Sequence, residues 1–168
     1  SNMRLASGIA PILEMLKAGV KVGVGVDGSA SNDGSHMLEE VRMVKMAARV
    51  RAGLMGASLS GEDAPPLMTA RQALELATRG SASVLGRSDL GSLEVGKAAD
   101  FFAINLNRID YAGALHDPVA AVVFAAPVKA DYTVVGGKYV VKAGEMVTVD
   151  VPNLIAEHNQ LASQLLEG

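Results

Sequence analysis

The sequence contains no cysteine and no tryptophan, and only three phenylalanines, three tyrosines and three histidines among its 168 residues. Without cysteine there is no disulfide framework, no thiolate metal site and no thiol nucleophile. A formal net charge of −3 with so few aromatic rings excludes the basic, stacking surface that nucleic-acid binders carry. The longest apolar run, Val119–Ala126, falls far short of the ~20 residues that span a bilayer. No charged-then-apolar amino terminus of the signal-peptide kind is visible, so a soluble, cytoplasmic protein with no membrane partner is expected. The length suits one domain or slightly more, and is too short for a complete (β/α)8 barrel of ~250 residues.

What is present reads first as helix, strand, helix. Pro11 fits a first helical turn, Ile12, Leu13 and Leu16 follow, and Gly19 stops the helix. Val20–Val26 is a β-branched run of strand length ending at Asp27-Gly28. After the polar stretch Ser29–Ser35, Met37, Val41, Val44 and Ala48 share one helical face. Glu39 and Glu40 lie early and Arg49 and Arg51 late, as the helix dipole favours. This is the grammar of a parallel α/β unit. A loop is expected over Gly53–Pro66, then a helix opened by the capping box Thr69-Ala70-Arg71-Gln72, with Ala73, Leu76, Ala77, Gly80 and Val84 on one side.

Beyond Gly86 the pattern turns β-rich. A strand is expected over Ala99–Ile104, and Asp117-Pro118 reads as an N-cap with proline opening a short helix through Phe124. Asp131–Val135 and Lys138–Val141 flank Gly136-Gly137 as a hairpin with a two-residue turn. Met146–Val149 follows as a strand, and Pro152 opens a last helix carrying Leu154, Leu161 and Leu165.

Gly23-Val24-Gly25-Val26-Asp27-Gly28 matches the letters of the dinucleotide fingerprint G-x-G-x-x-G. The context is wrong, because those glycines should follow the strand and open the helix. Glycines inside a strand serve close packing or a bend instead. Asp27 stands where a buried strand hands over to a loop and helix, the edge at which α/β folds place their chemistry. A carboxylate there can bind a metal or act as a base; Asp-Gly is equally an ordinary turn pair. Ser29, Ser31, Asn32 and Ser35 offer ligand hydrogen bonds but are also common turn and cap residues. His36 opens a helix near Asp27 and is a candidate for a substrate pocket. His116 and His158 stand apart, and no H-x-H or H-E-x-x-H spacing occurs.

Four ordered stretches carry a family resemblance. The strand Val20–Val26 with Asp27-Gly28-Ser29-Ala30-Ser31-Asn32-Asp33 resembles the last barrel strand of the amidohydrolase superfamily, in the branch of metal-dependent aminohydrolases. Ser1–Pro11 resembles the segment after barrel strand seven, Gly91–Phe101 the entry into an accessory β-sandwich, and Val134–Val140 a late sandwich hairpin. Gly113-Ala114-Leu115-His116-Asp117-Pro118, taken with the Asp27 stretch, is most similar to the 8-oxoguanine deaminase and hydroxyatrazine ethylaminohydrolase group.

The resemblance implies a fold: the last strands and helices of a TIM-type barrel over 1–88, part of an accessory β-sandwich over 89–150, and a closing helix over 151–168. It implies one divalent metal, zinc, bound in the family by an H-x-H pair, two further histidines and the strand-eight Asp. Only that Asp has a counterpart here, Asp27, as ligand and base, with Ser31, Asn32 and His36 beside a heterocyclic substrate. The chain therefore resembles the carboxy-terminal part of a longer hydrolytic deaminase, incomplete alone, with metal absent or weakly held. Its expected partners are the missing amino-terminal part and, through the unpaired strand, a second copy of itself in a homo-oligomer. Two other readings stand beside this one: a non-enzymatic folded or oligomerisation module, and a parent enzyme hydrolysing a carbon–halogen or cyclic-amide bond.

Overall fold

A computed structural model describes residues 2–32, 34–56, 67–125 and 128–167. Ser1 and Asp33 of the quoted motifs, Ala126 of the apolar run and 57–66 of the expected loop lie outside the described residues. The chain is α/β, with one small sheet among the described residues, and it divides into two units.

The first unit comprises Ser1–Lys97 and Leu106–Val128. It holds helix α1 (Ile12–Lys17), with Pro11 at its N-cap, and helix α2 (Met37–Leu54). Helix α3 (Ala70–Glu75) passes through a π turn, Leu76–Gly80, into α4 (Ser81–Val84). The capping box expected at Thr69 forms in both directions: Thr69 Oγ1 accepts from the Gln72 amide at 3.1 Å, and Gln72 Oε1 accepts from the Thr69 amide at 2.8 Å. Helix α5 (Pro118–Ala120) is capped by Asp117, whose Oδ1 accepts from the Ala120 amide at 2.9 Å, and runs into a second π turn, Ala121–Ala125. Ile12, Val41, Ala48, Met68, Ala73, Leu76 and Val123 form the core, with Val22 and Val24 packed against it.

Three expectations for this unit change. Val20–Val26 joins no β-ladder among the described residues. Its alternation survives, with Val22, Val24 and Val26 half-buried and Lys21, Gly23 and Gly25 exposed, but the segment lies on the α3–α4 helix instead of between strands. The buried face of α2 is Leu38, Val41, Lys45 and Ala48, so Met37 is exposed and a lysine enters the core. Val84 is 55% exposed while Ala82 is buried, because the wide turn at Leu76–Gly80 rotates the face that follows it.

The second unit, Ala98–Asn105 with Lys129–Gly168, is an antiparallel sheet in the order β1 (Phe101–Ala103), β2 (Tyr132–Val135), β3 (Lys138–Lys142), β4 (Glu145–Met146). Phe101 pairs with Val134, and Val135 with Lys138 across the two-residue turn. Gly136 and Gly137 both adopt left-handed backbone, φ +56° and +77°, which a tight hairpin of this hand requires and glycine supplies without strain. β1 and β4 are shorter than expected. Helix α6 (Val151–Glu167) has no buried residue. No helix among the described residues is long and apolar enough to cross a membrane.

Candidate active site

Asp27 ends the segment that lies on α3–α4. Its backbone is left-handed, φ +65°, a region an aspartate enters at some cost but more readily than most residues. Its Oδ1 accepts from the Gly28 amide at 2.8 Å, leaving the other oxygen to face solvent chemistry. Asp27 lines a cleft of about 480 Å³ whose wall includes Asn2, Met3, Gly25, Glu40 and Met43. Asn2, Asp27 and Glu40 are the polar side chains of an otherwise apolar lining, the few groups that would orient a small ligand there.

The loop after Asp27 is organised by one side chain. The amides of Ser31 and Asn32 both donate to the Gly28 carbonyl at 2.9 Å. Asn32 Oδ1 accepts from the amides of Gly34 at 3.2 Å and Ser35 at 3.1 Å, while its Nδ2 donates to Glu40 Oε1 at 2.7 Å. The Asx turn thereby ties the loop to the first turn of α2. His36 holds the N-cap of α2, its carbonyl accepting from the amides of Glu39 and Glu40 at 3.0 and 3.2 Å. Its Nδ1 is buried with no hydrogen-bond partner among the described residues.

Of the four residues singled out from sequence, Asp27 lines the cleft, whereas Ser31, Asn32 and His36 are not among its lining residues. Asn2, Met3 and Glu40 are, and sequence reasoning passed over them. Glu40 carried a signal that was read only as helix-dipole chemistry. Among the described residues no three His, Cys, Asp or Glu side chains gather into a group able to hold a metal ion. Asp27 by itself is one ligand where zinc sites use about three or four protein ligands, so these residues do not constitute a metal centre.

The model of the amidohydrolase family matches residues 1–140. The 8-oxoguanine deaminase of Pseudomonas aeruginosa is 44% identical over 168 residues, covering 100% of this chain and 35% of that protein. The hydroxydechloroatrazine ethylaminohydrolase of Pseudomonas sp. strain ADP is 44% identical over 163 residues, 95% of this chain and 32% of that one. Among solved structures, an atrazine chlorohydrolase from Arthrobacter aurescens TC1 complexed with zinc aligns with a TM-score of 0.82 at 37% identity, over 95% of this chain and 34% of that chain. The chain thus spans about a third of the length of the curated relatives it matches.

Proposed function

The chain belongs to the amidohydrolase family, and from that premise we propose that it is the carboxy-terminal part of a cytoplasmic hydrolytic deaminase acting on an amino-substituted N-heterocycle. The substrate class is a purine such as 8-oxoguanine, or a triazine, with ammonia or an amine released. The observation that carries the reading is the position of Asp27, at the end of Val20–Val26 and on the wall of the cleft. There its carboxylate takes a proton from the water that attacks the ring carbon bearing the amino group. The amino group leaves with a proton as ammonia or an alkylamine. Ser31 and Asn32 shape the loop beside the ring, and His36, at the N-cap of α2, is the third residue proposed for the substrate side of that loop.

The same proposal assigns residues 1–88 to the end of a TIM-type barrel, 89–150 to part of an accessory β-sandwich and 151–168 to a closing helix. The stretch 106–128 packs with the first unit. A divalent metal, zinc, belongs to the whole protein. Asp27 would be one of its ligands and the others would lie outside this chain. A homo-oligomer is proposed for the whole protein, through the apolar Val20–Val26 region.

A second reading, hydrolysis of a carbon–halogen bond, draws support from the chlorohydrolase among the solved structures. Assaying the whole protein against 8-oxoguanine, an alkylamino-hydroxytriazine and a chlorotriazine separates the two. Ammonia or amine release with chloride silent is the expected result. Chloride release alone overturns deamination, and silence on all three overturns the enzymatic reading.

A further inference from the structure

Val24 donates its backbone N–H to Ser81 Oγ at 3.1 Å, and the same hydroxyl lies 3.2 Å from the Val24 carbonyl and 3.1 Å from that of Leu76. Its single proton is shared between the two carbonyls, while its lone pair takes the Val24 amide. One side chain thus satisfies the backbone group that a neighbouring strand would otherwise pair. The fit is exact enough to exclude a methyl on either side. A Cβ on Gly23 would meet Ser81 Cα and Oγ at 2.9 Å, and one on Gly80 would meet the Val22 carbonyl at 2.5 Å. Ser81 immediately follows the π turn Leu76–Gly80, and single π turns recur beside functional sites.

We infer that Ser81 is a positioning residue for Asp27: its hydroxyl fixes the height and register of the Val22–Val26 backbone, and so sets where the Asp27 carboxylate enters the cleft. Asp27 lies three residues beyond the pinned Val24, in left-handed backbone, φ +65°. Such a conformation persists only where the surroundings over-determine it. On its far side the Asn32 turn and its bond to Glu40 at 2.7 Å hold the loop. On its near side the anchor is Ser81. The inference rests on the proposed role of Asp27 for its catalytic consequence, and on geometry alone for its structural one.

The test uses the whole protein as wild type, Ser81→Ala and Ser83→Ala, the last removing an exposed hydroxyl from the same helix. Ser81→Ala only deletes an atom and introduces no clash. Amide hydrogen exchange at Val24–Gly28 is expected to rise at least ~10-fold in Ser81→Ala, with the amides of α2 unchanged and Ser83→Ala like wild type. Turnover should fall ~10–100-fold with KM within about twofold, the pattern of a misplaced reacting group. Unchanged exchange at Val24–Gly28 overturns the inference. So does raised exchange with wild-type turnover per folded molecule. If wild type turns over no heterocycle, the deaminase reading fails while the exchange arm still decides whether Ser81 holds the Asp27 segment.

Discussion

The ammonium of Lys45 lies 3.5 Å from the centroid of the Phe124 ring, and the lysine is 5% exposed in the core face of α2. This contact joins α2 to the π turn that follows α5 within the first unit. Burial, and secondarily the charge of Arg49, push the lysine below its ordinary 10.5. The ring face offsets part of that cost, since a desolvated cation–π contact contributes about 0.5–2 kcal/mol.

Lys45→Met should therefore change stability at neutral pH by no more than about 1 kcal/mol, because lost ring contact and relieved desolvation oppose each other. Phe124→Leu should cost more than Lys45→Met, because it leaves a buried charge without its ring. The pH dependence has a definite sign. A lysine whose folded value is lowered weakens the fold below that value, and stability is regained as pH rises towards 10.5. Denaturant titrations at pH 7 and pH 10 should show wild type gaining on Lys45→Met at the higher pH. Parallel behaviour of the two proteins at both pH values would refute the assignment.

Asp27 separates stability from chemistry. Glycine at this φ of +65° removes a cost of about 1 kcal/mol, so Asp27→Gly should melt no lower than wild type. Asp27→Asn keeps a residue at home in left-handed turns. In the whole protein both should lose ~10²–10⁴-fold in turnover if the carboxylate is the base. An Asn variant within a few-fold of wild type would reduce Asp27 to a turn residue.

Gly80→Ala reverses the usual helical preference. In a free helix alanine is favoured over glycine by about 1 kcal/mol. Here the new Cβ would press on the Val22 carbonyl at 2.5 Å, and overpacking of this kind costs about 1–3 kcal/mol. Gly25→Ala, with nothing within 4 Å of its Cβ, should leave the melting temperature unchanged. Equal melting temperatures for the two variants would show that the helix and segment separate freely.

Arg87 grips Asp89 with two hydrogen bonds, 2.7 and 2.6 Å, and holds its carboxyl down to about 2 against an ordinary 3.8. A carboxylate depressed in the fold stabilises above its unfolded value and loses that contribution as pH falls through the folded one. The window here runs from about pH 4 down to about pH 2. Arg87→Gln should flatten the acid-unfolding curve in that interval and lower neutral stability by the same amount, a small one since exposed pairs are screened. A wild-type slope retained in Arg87→Gln would assign the acid transition to other carboxylates.

Local chemistry was legible and distant pairing was not. The capping box at Thr69, the Asp117-Pro118 cap and the Gly136-Gly137 turn each declare themselves within four residues, because the bonds they make span no more than that. Asp27 was legible as a carboxylate at the exit of an apolar run. What that run packs against was not, since Ser81 lies 57 residues away and nothing in Val20–Val26 announces a hydroxyl for a neighbour. Lys45 defied its composition, because a lysine on a helix reads as solvent-facing until the Phe124 ring is known. The return of 106–128 to the first unit leaves no mark in local patterning either.

The π turn at Leu76–Gly80 makes the helix sensitive to length in a way that no single side chain is. It accommodates one residue more than an α-helical path of the same rise, and each residue in an α-helix turns the axis by about 100°. Removing any one residue from Leu76–Gly80 would let the helix close into regular α geometry. Everything after it would keep its place, Ser81 against Val24 included, whereas one residue more than the turn already absorbs would swing Ser81 round by roughly a quarter turn, away from Val24. A one-codon insertion there would preserve helicity while unhooking the segment that carries Asp27, so circular dichroism would report a sound protein whose cleft had lost its carboxylate.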